Sequence, residues 1–154
     1  MATGKPGAKA PKFTVPTTAG AFRLGDQGAE KLVVYFYPRD NTPGCTLEGS
    51  EFRDLAAEFK RAGARILGIS TDTLESHRRF KEKMRFPFEL GADEDHAVAS
   101  RFGVWKQKNM YGRKMMGVER STFLIDAAGA VRREWRKVRV KGHAAAVLEA
   151  AREL

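Results

Sequence analysis

Cys45 is the single cysteine of a 154-residue chain and stands in the stretch "YPRDNTPGCTLE", Tyr37 to Glu48. A thiol becomes a strong nucleophile only once ionised, so its reactivity is set by its surroundings. The residues before Cys45 are of the kind that begin a helix. Thr42 suits the N-cap, Pro43 suits the first helical position, where its missing N–H costs nothing, and Cys45 then falls at the third. First-turn amides have no intrahelical partners and carry partial positive charge, so a thiolate placed there is stabilised. Gly44 lets the backbone approach a small ligand closely. On its residues alone, the segment reads as an anion-holding pocket with a nucleophile in it. The competing reading is a cysteine that merely packs, since free cysteine is among the most buried residue types. A turn and a capped helix around the thiol argue against it.

Other chemistry finds less support. A disulfide oxidoreductase needs Cys-x-x-Cys, and Glu48 occupies the second position. A cysteine hydrolase needs a histidine base oriented by a third group. His77, His96 and His143 have no motif around them and read as surface or capping histidines. With one cysteine they also lack metal-ligand spacing, so no metal site is expected. Met110, Met115 and Met116 fall in a basic, glycine-flanked loop, Lys106 to Gly117, where they would cover hydrophobic surface or flank the entry to the pocket.

The elements that must position Cys45 follow from hydrophobic periodicity. "KLVVYFYP" is a continuous apolar block stopped by Pro38, the pattern of a strand buried on both faces. In the helix that follows, Phe52, Leu55, Ala56 and Phe59 share one face, and Gly63 suits its C-terminal cap. "ARILGIST", Ala64 to Thr71, is again a strand. A second helix is expected over Leu74 to Met84, with Asp72 and Glu75 as a variant capping box. A third, shorter helix is expected from Asp93 to Phe102, ending at Gly103. "STFLID" and "AVRREWR" read as strands joined across "AAG", and "AAAVLEAAREL" as an amphipathic helix carrying Ala144, Val147, Leu148, Ala151 and Leu154 inward. "AGAFRLGD", Ala19 to Asp26, reads as a short early strand. The order of strand, helix, strand, connecting helices, hairpin and terminal helix is the layout of the thioredoxin fold. It predicts a three-layer α/β domain around a central mixed sheet, over residues 11–154. Residues 1–10, rich in glycine, alanine and lysine, are expected to form a flexible arm.

Composition excludes several classes. A hydrophobic content of 42% with 31% charged residues is that of an ordinary globular protein. No apolar run approaches the roughly 20 residues of a membrane span, and the first residues lack the apolar region of a secretory signal. A single cysteine rules out an internal disulfide framework, so the expected location is the cytoplasm. The net charge of +9 raises the possibility of a basic module that binds nucleic acid or an acidic partner. Its densest run holds Arg132, Arg133, Arg136, Lys137, Arg139 and Lys141 around Trp135. That run also alternates as a solvated strand does, so nucleic-acid binding is not expected to be the main function.

Longer motifs carry a resemblance. "YFYPRDNTPGCTLEGSEFRDL" resembles the active-site segment of the peroxiredoxins, in particular the bacterioferritin-comigratory or Q subclass, whose Pro-x-x-x-Thr-x-x-Cys pattern is matched by Pro38, Thr42 and Cys45. "ERSTFLID" is similar to the family's arginine-bearing segment and places Arg120 at that arginine, and "FGVWKQKNMYG" resembles the stretch before it. The resemblance runs from about Pro11 to Leu154. It implies the thioredoxin fold with the peroxiredoxin N-terminal extension and insertion, and thiol-dependent reduction of hydrogen peroxide and organic hydroperoxides without metal or organic cofactor. It implies that Cys45 is the nucleophile that becomes a sulfenic acid. Thr42 would orient peroxide and thiolate, and Arg120 would stabilise the thiolate and polarise the O–O bond. The Gly44 and Cys45 amides would hold the peroxide oxygens, and Pro38 would shield the pocket from water. Glu48 would pair with an arginine and hold the loop.

The chain departs from the family in one respect. Many members carry a resolving cysteine, in one variant at the position of Ser50, in another on the next helix, where "ESHRRFKEKM" has none. A serine hydroxyl forms no disulfide, so a one-cysteine cycle is expected, with the sulfenic acid reduced through a mixed disulfide by an external thiol: thioredoxin, glutaredoxin or a low-molecular-weight thiol. Gly44 and Gly49 would ease local unwinding around Cys45. The resemblance leans toward a monomer. A peroxide sensor using the same cysteine begins with the same step and stays open beside the enzyme.

Overall fold

The computed structural model describes residues 7–154. At its centre is β3 (Lys31–Phe36), paired in parallel with β4 (Ala64–Ser70) and antiparallel with β8 (Ser121–Ile125). The sheet extends beyond β4 through β5 (Glu89–Ala92) to the early hairpin of β1 (Thr14–Thr17) and β2 (Gly20–Arg23), and beyond β8 to β9 (Val131–Trp135). Alternation along β3 separates two cores. Val33, Tyr35 and, just past the strand, Tyr37 face one side, while Leu32, Val34 and Phe36 face the other.

The first side is covered by helices α1 (Pro43–Asp54), α2 (Ala56–Arg61), α3 (Leu74–Met84) and α5 (His143–Arg152), which bury Phe52, Phe59, Phe80, Val147 and Leu148 against the sheet. The other side is closed by α4 (Ala97–Arg101), Phe102, Val104 and the segment around Ala10 and Phe13. The result is the three-layer thioredoxin fold around a mixed sheet. Each large apolar side chain buried in these layers contributes on the order of 1.5–3 kcal/mol.

Several elements differ from the sequence expectation. The first long helix is two helices, interrupted at Leu55, where φ is −103° and ψ is 5°. Phe52 and Phe59 are buried as expected, while Leu55 and Ala56 are only half-buried. Helix α3 has the expected bounds, but Thr73 is its cap, accepting from the Ser76 amide at 3.1 Å, and Asp72 serves elsewhere. Helix α4 starts later than Asp93 because His96 adopts a left-handed φ of 52°. Asp93 instead caps that helix from outside, its carboxylate accepting from the amides of Val98 at 3.0 Å and Ala99 at 2.8 Å. The stretch Lys106 to Gly117, expected as a loop, is the hairpin of β6 (Trp105–Met110) and β7 (Arg113–Val118). Gly7 to Ala10, expected in the arm, hydrogen-bond to the chain around Gly129 and Val131, and the first part of the arm lies outside the described residues.

His143 and His77 are both buried, against the expectation of surface or capping roles, and His96 alone caps a helix on the surface. His143 opens α5 between the rings of Phe52 and Trp135, its Nε2 2.7 Å from the Thr122 hydroxyl. Burial, aided by the charge of Arg120, pushes its imidazole down to about 4. The folded state therefore favours the neutral ring, and its stabilising contribution is complete above the ordinary histidine range and lost as pH falls toward about 4. Urea unfolding of the wild type and of His143→Gln at pH 7.5 and pH 4.5 tests this. The stability advantage of the wild type over the variant is expected to shrink by about 2 kcal/mol at the lower pH.

Candidate active site

The strand β3 ends in a loop that turns directly into α1. Thr42 is the N-cap (φ −98°, ψ 157°), Pro43 takes the first helical position, and Cys45 stands in the first turn with its side chain buried. The Thr42 hydroxyl does not cap the helix. It donates to the Arg39 carbonyl at 2.9 Å, which leaves its own lone pairs free to accept. No acidic side chain occupies the first turn, so the positive end of the helix is offset by no side chain of its own.

Arg120 comes from the other side. It precedes β8, whose register sets Ser121 opposite Phe36, so the arginine arrives beside the end of β3. The Val138 amide donates to its carbonyl at 3.0 Å and fixes the backbone there. Its guanidinium forks, with Nη2 donating to Cys45 Sγ at 3.3 Å and Nη1 to Glu48 Oε1 at 2.5 Å. A side chain at position 44 would obstruct this approach, since a Cβ there would lie 3.1 Å from Arg120 Nη2. Gly44 thus admits a guanidinium, which is a different close approach from the ligand contact expected from sequence.

Glu48 is 1% exposed, and its Oε2 is buried without a hydrogen-bond partner among the described residues. Burial pushes its carboxyl up to about 7, with the guanidinium beside it pulling part of the way back. Glu48 in turn reinforces the positive charge of Arg120, which stays protonated throughout. Behind them Tyr35 stacks on Phe52, with ring centroids 4.7 Å apart, and burial keeps its phenol protonated.

The loop is fastened by groups that sequence reasoning missed. The Tyr37 hydroxyl donates to Asp40 Oδ1 at 2.6 Å, and Ser76 Oγ and His77 Nδ1 meet Oδ2 at 2.8 and 2.7 Å. His77 Nε2 lies 2.9 Å from the Gly91 carbonyl, an acceptor only, so that nitrogen carries a hydrogen. The Asp40 amide donates to Asp72, which also accepts from Ser70 Oγ. Asp40, Asp72 and His77 present donor atoms within 4.8 Å of one another, the geometry from which metal sites are built. Here those atoms are engaged in hydrogen bonds that tie the loop to β4 and α3. The available signal was the helical spacing of His77 with Phe80 and Met84, which puts all three on one face.

Pro38 is half-buried where the loop leaves the sheet. Ser50 donates to the Thr46 carbonyl at 2.7 Å inside α1. Gly49 is required by packing, because a Cβ there would fall 2.4 Å from the Phe86 ring. The basic run is engaged within the chain in part: Arg136 donates to the carbonyls of Phe102 and Gly103, Arg133 lies over Trp135, 5.0 Å from its centroid, and Arg132 pairs with Asp126, while Lys137, Arg139 and Lys141 are exposed. Among the described residues no helix is long and apolar enough to cross a membrane.

A thioredoxin-fold sheet that presents a helix-borne cysteine to an arginine defines a thiol-based redox protein, and comparison with known proteins narrows the class. The AhpC/TSA family model matches residues 6–134. The chain is 45% identical to peroxiredoxin Bcp of Bacillus subtilis, over 96% of this chain and 95% of that protein. It is 55% identical to peroxiredoxin Bcp of Xanthomonas campestris over 77% of this chain and 74% of that protein. A solved structure of Xanthomonas campestris peroxiredoxin Q superposes with a TM-score of 0.87 at 47% identity, covering 92% of this chain and 90% of that one. A peroxiredoxin Q mutant from Xylella fastidiosa superposes with a TM-score of 0.91 at 37% identity, covering 97% and 96%. The chain belongs to the AhpC/TSA family, among the peroxiredoxins of the Bcp or Q type. It is accordingly a thiol-dependent peroxidase.

The Glu48–Arg120 pair makes the site sensitive to pH. With its carboxyl pushed up to about 7, Glu48 is expected to be neutral at lower pH, where the arginine's charge acts on Cys45 uncompensated, and ionised at higher pH, where the carboxylate offsets that charge. The second-order rate with peroxide, followed from pH 5.5 to 9, is expected to show a step near pH 7 that disappears in Glu48→Gln. The same step in the variant would assign it to another group.

Proposed function

We propose that the chain reduces hydrogen peroxide and organic hydroperoxides by a one-cysteine cycle in which Cys45 is the nucleophile, Arg120 and Thr42 position and polarise the peroxide, and an external thiol restores the enzyme. The observation that carries this reading is the contact of 3.3 Å between Arg120 Nη2 and Cys45 Sγ, made where the first turn of α1 opens. A thiolate accepts such a charged donor better than a thiol does.

In the first step the Cys45 thiolate attacks one peroxide oxygen. The S–O bond forms, the O–O bond breaks, and the departing oxygen takes up a proton and leaves as water or alcohol, with the sulfur oxidised to the sulfenic acid. The same guanidinium that touches Sγ is placed to stabilise charge developing on the peroxide oxygens, as are the first-turn amides of Gly44 and Cys45. The Thr42 oxygen, its hydrogen committed to Arg39, is oriented to accept from the peroxide O–H. Pro38 closes the loop against water.

In the second step a thiol attacks the sulfenic sulfur, expelling water and leaving a mixed disulfide, which a second thiol resolves to return Cys45. With Ser50 in place of a resolving cysteine, both thiols come from outside. We place the protein in the cytoplasm, where such thiols are kept reduced, and read it as a monomer. One relative supports the substrate range: the bacterioferritin comigratory protein of Xanthomonas campestris has been studied for alkyl peroxide reduction.

Peroxide consumption in the presence of dithiothreitol, with intact mass after trapping, tests the reading. Continuous turnover of hydrogen peroxide and of cumene hydroperoxide is expected, with one trappable sulfenic acid on Cys45 and complete loss in Cys45→Ser. Consumption that stops after one equivalent despite excess thiol would leave a sensor rather than an enzyme.

A further inference from the structure

The hairpin of β6 and β7 forms a two-stranded sheet of its own, attached to the domain at its base, where Val104 and Val118 are buried and the Glu119 amide donates to the Val104 carbonyl at 2.8 Å. The register pairs Lys106 with Gly117, Lys108 with Met115 and Met110 with Arg113, so these residues share one face. Met110 and Met115 are about half exposed on it. The segment from Lys106 to Val118 contains four cations, Lys106, Lys108, Arg113 and Lys114, and no acidic residue.

The tip points the same way. Tyr111 is 99% exposed at φ 54°, in a two-residue turn with Gly112. Such turns favour asparagine, aspartate or glycine at that φ, and a bulky aromatic there is strained. Among the described residues no packing repays the strain, because Tyr111 faces solvent over nearly its whole surface. The same face is tied to the segment that carries Arg120. Lys108 Nζ donates to the Val118 carbonyl, two residues before Arg120. Burial, and next the nearby charge of Arg120, hold the Lys108 ammonium below its ordinary range, while Cys45 acts on it in the opposite sense.

We infer that this face is the docking surface for the external reductant, a dithiol protein whose reactive cysteine is ringed by acidic and apolar side chains. The inference rests on the one-cysteine reading. Cys45 is 2% exposed, and every turnover requires a thiol sulfur to reach it. A cationic methionine face whose Lys108 ammonium is tied to the Val118 carbonyl, two residues before Arg120, steers an acidic partner toward that end of the hairpin, and methionine adapts to the partner's apolar rim. The partner's first thiol forms a disulfide with Cys45 and expels water from the sulfenic acid. Its second thiol then attacks the partner's own sulfur, releasing the Cys45 thiolate and leaving the partner oxidised.

The test separates the two half-reactions. The protein is oxidised with one equivalent of hydrogen peroxide, the sulfenic acid is verified by mass, and its reduction is then timed with reduced thioredoxin, with a reduced dithiol glutaredoxin and with dithiothreitol. Reduction by thioredoxin or glutaredoxin is expected to outpace dithiothreitol at equal thiol concentration and to slow as salt rises. Lys106→Glu/Arg113→Glu is expected to slow the faster protein reductant about tenfold or more at low salt. Met110→Ser/Met115→Ser is expected to slow it independently of salt. Both variants should keep the wild-type rates with dithiothreitol and with hydrogen peroxide. Protein reductants no faster than dithiothreitol, or variants reduced at the wild-type rate, would overturn the docking surface. A loss confined to oxidation by a fatty-acid hydroperoxide would overturn it too, by assigning the face to substrate. Absence of any sulfenic acid would instead refute the peroxidase reading on which it stands.

Discussion

Arg120 reaches past the Cα of Gly44 to touch Cys45 and Glu48 at once, and much of the surrounding structure makes that reach possible. The antiparallel pairing of β8 with β3 brings the arginine to the end of the strand that launches the Cys45 loop. The absence of a Cβ at Gly44 opens the path. Glu48, one turn after Cys45 on α1, takes the second arm of the guanidinium and sets its plane. Leaving either member of such a buried pair without its partner costs several kcal/mol, so the carboxylate is both a positioning group and a constraint on the fold. The same charge is felt further away, by Lys108, whose ammonium reaches the base of the hairpin, and by His143 at the start of α5.

The loop carrying Thr42 and Pro43 is held independently of that contact. Asp40 is buried and fastened to Tyr37, Ser76 and His77, while its amide is fastened to Asp72. Further along, Arg53 donates to the Met84 carbonyl at 2.8 Å, and Phe86 lies against Gly49. The cysteine therefore sits on a stretch pinned at both ends. Such pinning maintains the arginine contact.

Local chemistry was legible in the sequence where a residue type has a narrow positional meaning. Thr42, Pro43 and Cys45 announce a helix start, "KLVVYFYP" announces a buried strand, and "AAG" between two apolar runs announces the β8–β9 turn. Arg120 was legible only through family resemblance, because an arginine ahead of a strand looks like any surface arginine until the topology brings it to Cys45. Asp40 and His77 were missed for the reverse reason. Polar side chains read as surface, and only the folded network shows that burial is offset by hydrogen bonds on each of them. The β6–β7 hairpin escaped because both of its faces are largely exposed, so it lacks the apolar alternation by which a half-buried strand is recognised. The interruption at Leu55 left no mark, since the residues around it keep helical spacing across the break.

On the proposed reading, the Arg120–Cys45 contact activates peroxide as well as the thiol. Comparing the rates of the reduced protein with hydrogen peroxide and with iodoacetamide, in the wild type, Arg120→Lys and Arg120→Ala, tests it most directly. Alkylation needs only a thiolate, whereas peroxide reduction also needs the breaking O–O bond to be stabilised. The peroxide rate is predicted to fall by about a hundredfold or more in Arg120→Ala, and by more than the alkylation rate. The lysine variant should recover only part, because a point charge lacks the fork. A peroxide rate within about twofold of wild type, or equal losses in both reactions, would leave Arg120 no part in breaking the O–O bond.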